Sequence, residues 1–210
     1  MTPIIVLLAS AILIVVGLLR SRQLGERIAP VIVRRYHHRG HSWVRETEDG
    51  DVIVGIDDFA QSLIGSVDEV RLPRILRSVQ QGGVAYHLRH GNRVVPIMSP
   101  VGGRIVARNE MVRTNPSLVN TSPYGDGWLV RIKPRKLSIE MRNLFSGKPA
   151  QQWLDAARAR LHQIFAGTPV LMYQDGGELI RDLSDKCSDR EWESIVNEFF
   201  LGESNTSAQR

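Results

Sequence analysis

Residues 55–65 read GIDDFAQSLIG, and this stretch combines the end of a strand with the start of a helix. Asp57 and Asp58 are favourable N-cap residues. The apolar residues after them lie at helical spacing: Phe59, Ala60, Leu63 and Ile64. We therefore expect a short helix that begins at the two aspartates. Capping and the helix dipole explain the adjacent carboxylates better than a catalytic pair does.

Short strand-like runs surround this helix from His41 to Pro134. They are residues 51–54, 84–88, 93–97, 103–106 and 128–132. The last run, Trp128–Ile132, alternates apolar and polar residues and predicts a strand with one buried face. Turn signals recur about every 8–12 residues, which is typical of a small barrel or sandwich.

Beyond Pro134 the pattern becomes helical. Residues 151–165 predict a helix with one apolar face, made by Trp153, Leu154, Ala157, Leu161, Ile164 and Phe165. Residues 170–180 predict a hairpin around Asp175-Gly176-Gly177. Ser188 and Glu191 have the spacing of a capping box. The apolar stripe after them, Trp192, Ile195, Val196, Phe199 and Phe200, packs on its own domain or binds a partner. Residues 202–210 predict a frayed tail.

An uncharged apolar run precedes the strands. Residues 3–19 contain seventeen apolar or small side chains and no charge. At 1.5 Å per residue this run reaches about 25 Å, at the short end for a bilayer core. We predict an uncleaved transmembrane anchor. The alternatives are a cleaved signal peptide, which wants a basic residue before the run, and a buried core helix.

The formal net charge of +5 and the pI of about 9.8 come from one short segment. Residues 20–45 hold seven arginines and one acidic residue, Glu26, a net of +6. The 165 residues that follow hold 20 basic and 21 acidic side chains. A nucleic-acid-binding domain carries its positive charge on the folded surface, so this distribution excludes that class.

Arginines follow the apolar run and none precede it. By the positive-inside rule, this predicts a single-pass protein of the inner or plasma membrane. Its N-terminus lies outside and its C-terminal domain is cytoplasmic. The single cysteine, Cys187, cannot form an internal disulfide, which agrees with that compartment.

The middle of the chain resembles the H protein of the glycine cleavage system, a small carrier with a lipoyl group on one lysine. The motifs that carry the resemblance occur in the family's order. They are His41-Ser42-Trp43, the stretch 55–65, Ser99–Val106 with Asn109-Glu110, Asn115–Asn120 and Pro123–Leu129. The resemblance covers roughly residues 40–135. It implies a mainly β (α+β) fold, a barrel-sandwich hybrid of the lipoyl/biotinyl type.

The resemblance also places the family's lipoyl-lysine on a hairpin tip. Counted back from Pro100, the tip falls on residues 89–93, and Asn92 occupies the lysine position. Its tip neighbours are Arg89, His90, Gly91 and Arg93. A carboxamide cannot form the lipoyl amide, and no lysine lies between Arg45 and Ile132. The position is therefore degenerate, and we expect no bound cofactor. Gly91-Asn92 suits a two-residue hairpin turn in which both residues tolerate left-handed geometry.

Other chemistry has weaker signals. We predict no metal site at histidines 37, 38, 41, 87 and 90. His37 and His38 are adjacent and point in different directions, and His41 belongs to the strand motif. His87 and His90 have no cysteine or acidic ligand close in sequence. The basic tip, with His87, Arg89, His90 and Arg93, either meets an acidic partner or phosphate or is a solvated turn. No phosphate-binding glycine loop or nucleophile elbow occurs, so we expect no catalytic residues and no enzyme activity.

These features divide the chain into five parts: anchor 1–22, basic connector 23–40, H-protein-like domain 41–135, helical extension 136–201 and tail 202–210. The leading hypothesis is a membrane-anchored, non-lipoylated adaptor or accessory subunit on the cytoplasmic face. Its partners are the lipid bilayer, through residues 3–19, and an unidentified protein. The first alternative is a lipoyl-type carrier with an unusual attachment site, such as Lys133, Lys136 or Lys148. The second is a membrane-anchored enzyme that uses the C-terminal segment.

Overall fold

A computed structural model describes residues 34–165 and 183–202 of the chain. Its strands are β1 Tyr36–His37, β2 Ser42–Glu46, β3 Val52–Ile56, β4 Glu69–Arg71, β5 Ser78–Val79, β6 Val84–His90, β7 Arg93–Met98, β8 Gly103–Arg108 and β9 Val130–Pro134. Its helices are α1 Asp58–Ile64, α2 Glu110–Thr114, α3 Leu118–Thr121, α4 Leu137–Glu140, α5 Gly147–Ile164, α6 Leu183–Lys186 and α7 Asp189–Ile195. A 3-10 turn, Met141–Asn143, follows α4, and a π-helical turn, Val196–Phe200, follows α7.

The strands form two antiparallel sheets. The larger has the order β1-β2-β3-β9-β8-β5, and the smaller has the order β4-β6-β7. Apolar side chains of both sheets are buried in one core, among them Val44, Val54, Ile56, Leu88, Val95, Ile97, Ile105 and Ile132. The predicted barrel-sandwich with added helices is confirmed.

Local sequence signals place the motif around α1. Asp57 is the N-cap of that helix, and its Oδ1 accepts a hydrogen bond from the Ala60 N–H at 2.9 Å. Trp43 lies opposite Gly55 across β2 and β3. A Cβ on Gly55 would lie 2.6 Å from the Trp43 ring, so only glycine fits there. The predicted capping is confirmed, and the glycine has a packing reason.

His41 occupies the centre of the domain and is 1% exposed. Its Nδ1 lies 3.0 Å from Asp57 Oδ2. Its ring stacks between Phe59 and Trp153, with centroids 4.3 Å and 4.5 Å away. His41 has φ +56, a backbone conformation that side chains with a Cβ rarely adopt. The hydrogen bond and the two ring contacts therefore hold a strained residue in place.

The helices after Pro134 pack on this core. Helix α5 begins four residues before the predicted start, at Gly147, and buries Leu154, Ala157 and Leu161. The predicted capping box at Ser188 is present at the start of α7. The apolar stripe that follows is buried against the domain, which confirms the first of its two interpretations.

One predicted boundary is wrong, and three predicted segments lie outside the described residues. Tyr36 and His37 were placed in the connector 23–40, but they form β1, because their backbone pairs with β2. The anchor 1–22, the hairpin 170–180 and the tail beyond residue 202 lie outside the described residues. Within 34–165 and 183–202, no helix has the length and apolar character needed to cross a bilayer.

Replacing Asp57 tests the buried pair. Burial alone disfavours the charged carboxylate, yet His41, His37 and the Ala60 N–H hold the pKa of Asp57 at about 2, below its usual 3.8. Breaking a buried pair of this kind costs about 3 kcal/mol. We expect D57N to lose about that much stability at neutral pH, measured by denaturant unfolding of the full chain in a mild detergent.

The pH dependence has a defined sign. Because the pKa of Asp57 is lower in the folded protein than in the unfolded chain, its ionised carboxylate stabilises the fold at pH values above the unfolded-state pKa. This contribution to the free energy of unfolding is lost as the pH falls from about 4 towards about 2. The difference in free energy of unfolding between wild type and D57N should therefore become smaller in acid. The control D126N, at an exposed side chain, should change stability by less than about 0.5 kcal/mol. A constant gap across pH would contradict the account.

Candidate functional site

The β6–β7 hairpin ends in a two-residue turn, Gly91-Asn92, closed by the His90–Arg93 pair. Gly91 has φ +54, and its N–H donates to Asp68 Oδ2 at 2.6 Å. Both residues of the turn tolerate left-handed geometry, but only Gly91 adopts it, because Asn92 does not have positive φ. One glycine at the first central position is enough to close this type of turn.

Asn92 is exposed at the end of the hairpin, and its side chain makes no hydrogen bond to the described residues. Asn92 and Gly91 are the only residues of the turn, and neither carries a primary amine. Residues 34–132 contain no lysine, so no neighbouring strand position supplies one. The residues of this turn do not fit covalent attachment of a lipoyl group.

Arg89, the first tip neighbour, is paired internally. Its Nε donates to Glu69 Oε2 at 2.8 Å, and its Nη1 donates to the Gly91 carbonyl at 3.0 Å. Glu69 also accepts from Arg71 Nε at 2.7 Å. Hydrogen bonds from Arg71 and Arg89 hold the pKa of Glu69 at about 2. Glu69 thus partly offsets the positive charge of Arg89 on the neighbouring strand.

His90 joins the tip to the C-terminal segment. Its Nε2 lies 2.8 Å from Asp185 Oδ1 in α6, and its Nδ1 hydrogen-bonds the Ser66 carbonyl. Partial burial disfavours the charged ring, but the hydrogen bonds to Asp185 and Ser66 outweigh it and raise the pKa of His90. The protonated ring is therefore the form that this contact favours.

Arg93 makes a second connection to the same segment. Its guanidinium donates to the carbonyls of Ser184 and Cys187 and lies 5.1 Å from the centre of the Trp192 ring. The Arg93 side chain is 18% exposed. The chain itself therefore supplies the partners of Arg93. Both alternatives predicted for the tip, an anion-binding site and a solvated turn, are wrong for this residue.

Sequence reasoning missed the placement of α6. Ser184 Oγ donates to the Ile64 carbonyl at 2.7 Å, which fixes α6 beside the end of α1. About ninety residues separate this segment from the hairpin, and no periodic signal links them. Cys187 is buried, and burial raises the pKa of its thiol. Lys186 is exposed and follows Asp185, so a lysine lies on the segment beside the turn.

The histidines named here lie in two separate regions, one around Asp57 and one on the β6–β7 hairpin. His37 and His41 both face Asp57, at 3.7 Å and 3.0 Å, whereas His90 lies at the tip. His87 lies within β6, opposite Pro96. In the part of the chain that the structure describes, no three histidine, cysteine or acidic side chains are grouped as metal ligands.

Comparisons with known proteins agree on one family. The family model described as "Glycine cleavage H-protein" matches residues 34–157. The "Probable glycine cleavage system H protein" of Pyrococcus furiosus is 34% identical over 119 residues, which are 57% of this chain and 88% of that protein. The "Glycine cleavage system H protein" of Shewanella loihica is 40% identical over 115 residues, 55% of this chain and 88% of that protein.

A solved structure agrees with these matches. The crystal structure of a glycine cleavage system H protein from Mycobacterium marinum has a TM-score of 0.50 and 25% identity. The match covers 60% of this chain and 98% of that one. The hairpin turn lies inside the matched range, whereas α6 and α7 lie beyond residue 157.

The contact between His90 and Asp185 should depend on pH. Because the folded-state pKa of His90 is raised, the protonated ring stabilises the contact fully below the usual histidine pKa of 6.5. This stabilisation is lost as the pH rises through the raised pKa. Hydrogen exchange at residues 183–187, corrected for the intrinsic rate, should therefore accelerate about two- to fivefold above that pKa. D185N should remove this dependence, and E193Q, at an exposed position of α7, should keep it. Equal protection of the wild type at all pH values would contradict this assignment.

Proposed function

This chain belongs to the glycine cleavage H-protein family, and from that premise we propose that it is a non-lipoylated member that acts as an adaptor or accessory subunit. The observation that carries the proposal is the Gly91-Asn92 turn, which offers no primary amine. The family's scaffold is kept, and the group that would receive a lipoyl amide is missing. The chain then functions through its surfaces, without being an enzyme itself.

The surroundings of the turn support this proposal. An attaching enzyme must approach the residues beside its target. Here His90 and Arg93, on either side of the turn, bind α6 and the residues after it. Arg89 bonds the turn's own carbonyl. The hairpin tip therefore serves as an internal docking point for the C-terminal segment.

The location belongs to the same proposal. The seventeen uncharged residues 3–19, followed by the arginine-rich stretch 20–45, support a single-pass anchor in the inner or plasma membrane. The N-terminus lies outside, and residues 20–210 lie on the cytoplasmic face. The bilayer is one partner, and a protein of a membrane-associated complex is the other.

A second candidate is a lipoyl carrier of the glycine cleavage system or a related pathway. The relatives favour it, since those described above are named as glycine cleavage system H proteins. It requires an attachment site away from the turn. Lys133, Lys136 and Lys148 are exposed, and Lys186 is exposed on the segment that binds the tip.

Mass measurement separates the two candidates. We expect the full chain, purified from its own membrane, to have the mass of the unmodified polypeptide at every lysine. A lipoylated H protein produced in the same cells is the control, since it shows that attachment was active. A lipoyl adduct that peptide mapping assigns to any of the four lysines would overturn the non-lipoylated proposal and establish the carrier.

A further inference from the structure

The loop between β4 and β5 holds two aliphatic side chains in solvent. Residues 74–77 read Arg-Ile-Leu-Arg, with Ile75 50% and Leu76 68% exposed. Hydrogen bonds fix the loop against β8: the Leu76 N–H donates to the Ile105 carbonyl at 2.8 Å, and the Ile105 N–H donates to the Arg77 carbonyl at 3.0 Å. The exposure is therefore a property of a well-anchored backbone.

Leu76 is also in an unfavourable backbone conformation, with φ +70. Glycine or asparagine would adopt it at lower cost, and a bulky residue is rarely found there. Nothing inside the described fold uses the leucine side chain. A strained, exposed leucine beside an exposed isoleucine indicates a contact outside the fold.

Unpaired positive charges surround this loop. We define the basic face as Arg74, Arg77, Arg104, Lys133 and Arg135, all of which are exposed. Arg104 lies opposite Ser78 on one side and opposite Lys133 on the other. Arg135 donates to Ser78 Oγ at 2.7 Å. Arg74 and Arg77 flank the aliphatic pair, so the five cations and the loop share one edge of the larger sheet.

No ion pair joins the basic face to an acidic side chain within residues 34–165 and 183–202. Glu140, on α4 just after this face, uses its carboxylate to accept the Gly102 N–H at 2.8 Å. Like charges directly opposite one another, as at Arg104 and Lys133, destabilise a sheet. This unfavourable arrangement indicates an anionic partner.

The combination of chemistries identifies the partner. Aliphatic side chains enter the boundary between headgroups and acyl chains, and arginine and lysine bind anionic headgroups around them. We propose that residues 74–77 and the basic face dock the folded domain on an anionic lipid bilayer. The choice of a bilayer over an acidic protein rests on the proposed membrane attachment, because a nearby bilayer is then always present.

The experiment uses the full chain with an environment-sensitive fluorophore on L76C, in a C187S background. Vesicles contain phosphatidylcholine alone or mixed with phosphatidylglycerol. We expect a blue shift and quenching by spin-labelled lipid, both larger on the anionic vesicles. The matched position M111C is 55% exposed on α2 and is not part of the basic face, and its emission should stay as in buffer.

Charge variants test the electrostatic part. R104Q/K133Q should weaken docking about twenty-five-fold, since each basic residue near an anionic surface contributes about a fivefold factor. The control K148Q/R190Q removes two exposed cations elsewhere and should leave the shift at residue 76 unchanged. Equal effects of both pairs would overturn the assigned face.

Flotation of the same samples separates this inference from the anchor. Protein that floats with vesicles while the probe at residue 76 emits as in buffer overturns the docking face and leaves the anchor standing. Protein that remains in solution with an unresponsive probe overturns both. A response on anionic vesicles that is lost in R104Q/K133Q supports the docking face.

Discussion

The buried contact between His41 and Asp57 is the interaction on which the rest of the structure depends. One carboxylate caps α1, bonds a histidine of the β1–β2 turn and lies within 3.7 Å of His37. Trp153 of α5 stacks on the same histidine. The buried pair thus joins the larger sheet, the first helix and α5.

That contact also positions the hairpin tip, through α1. The helix begins at the Asp57 cap and ends at Ile64, and the carbonyls of Ile64 and of Ser66, just after the Gly65 cap, are both available there. These accept hydrogen bonds from Ser184 and His90. Since α6 and the hairpin are fixed from the same helix end, the C-terminal segment and the turn hold a defined relation. The residues beside the turn, His90 and Arg93, thus make contacts within the protein.

The fold was largely predictable, and the site only in part. The helix cap at Asp57, the capping box at Ser188 and the strands β3 and β6 to β9 follow from local patterns, and the structure agrees. The short strands β4 and β5 were not among the predicted runs. The absence of lysine between Arg45 and Ile132 is likewise readable from the sequence. The contacts of His90 and Arg93 with residues 184–187 were not, because they join residues more than ninety positions apart. The exposed Leu76 was missed for a similar reason, since its strained conformation depends on hydrogen bonds to Ile105.

The comparisons and the turn favour different functions: relatives named as glycine cleavage system H proteins favour a carrier, and Asn92 favours a scaffold. The most direct measurement uses cells that lack their own H protein and express this chain. Glycine labelled at its carboxyl carbon is supplied, and release of labelled carbon dioxide is followed. The account predicts release no higher than with an empty vector, while an authentic lipoylated H protein restores it. Restoration by this chain would contradict the account and establish a carrier.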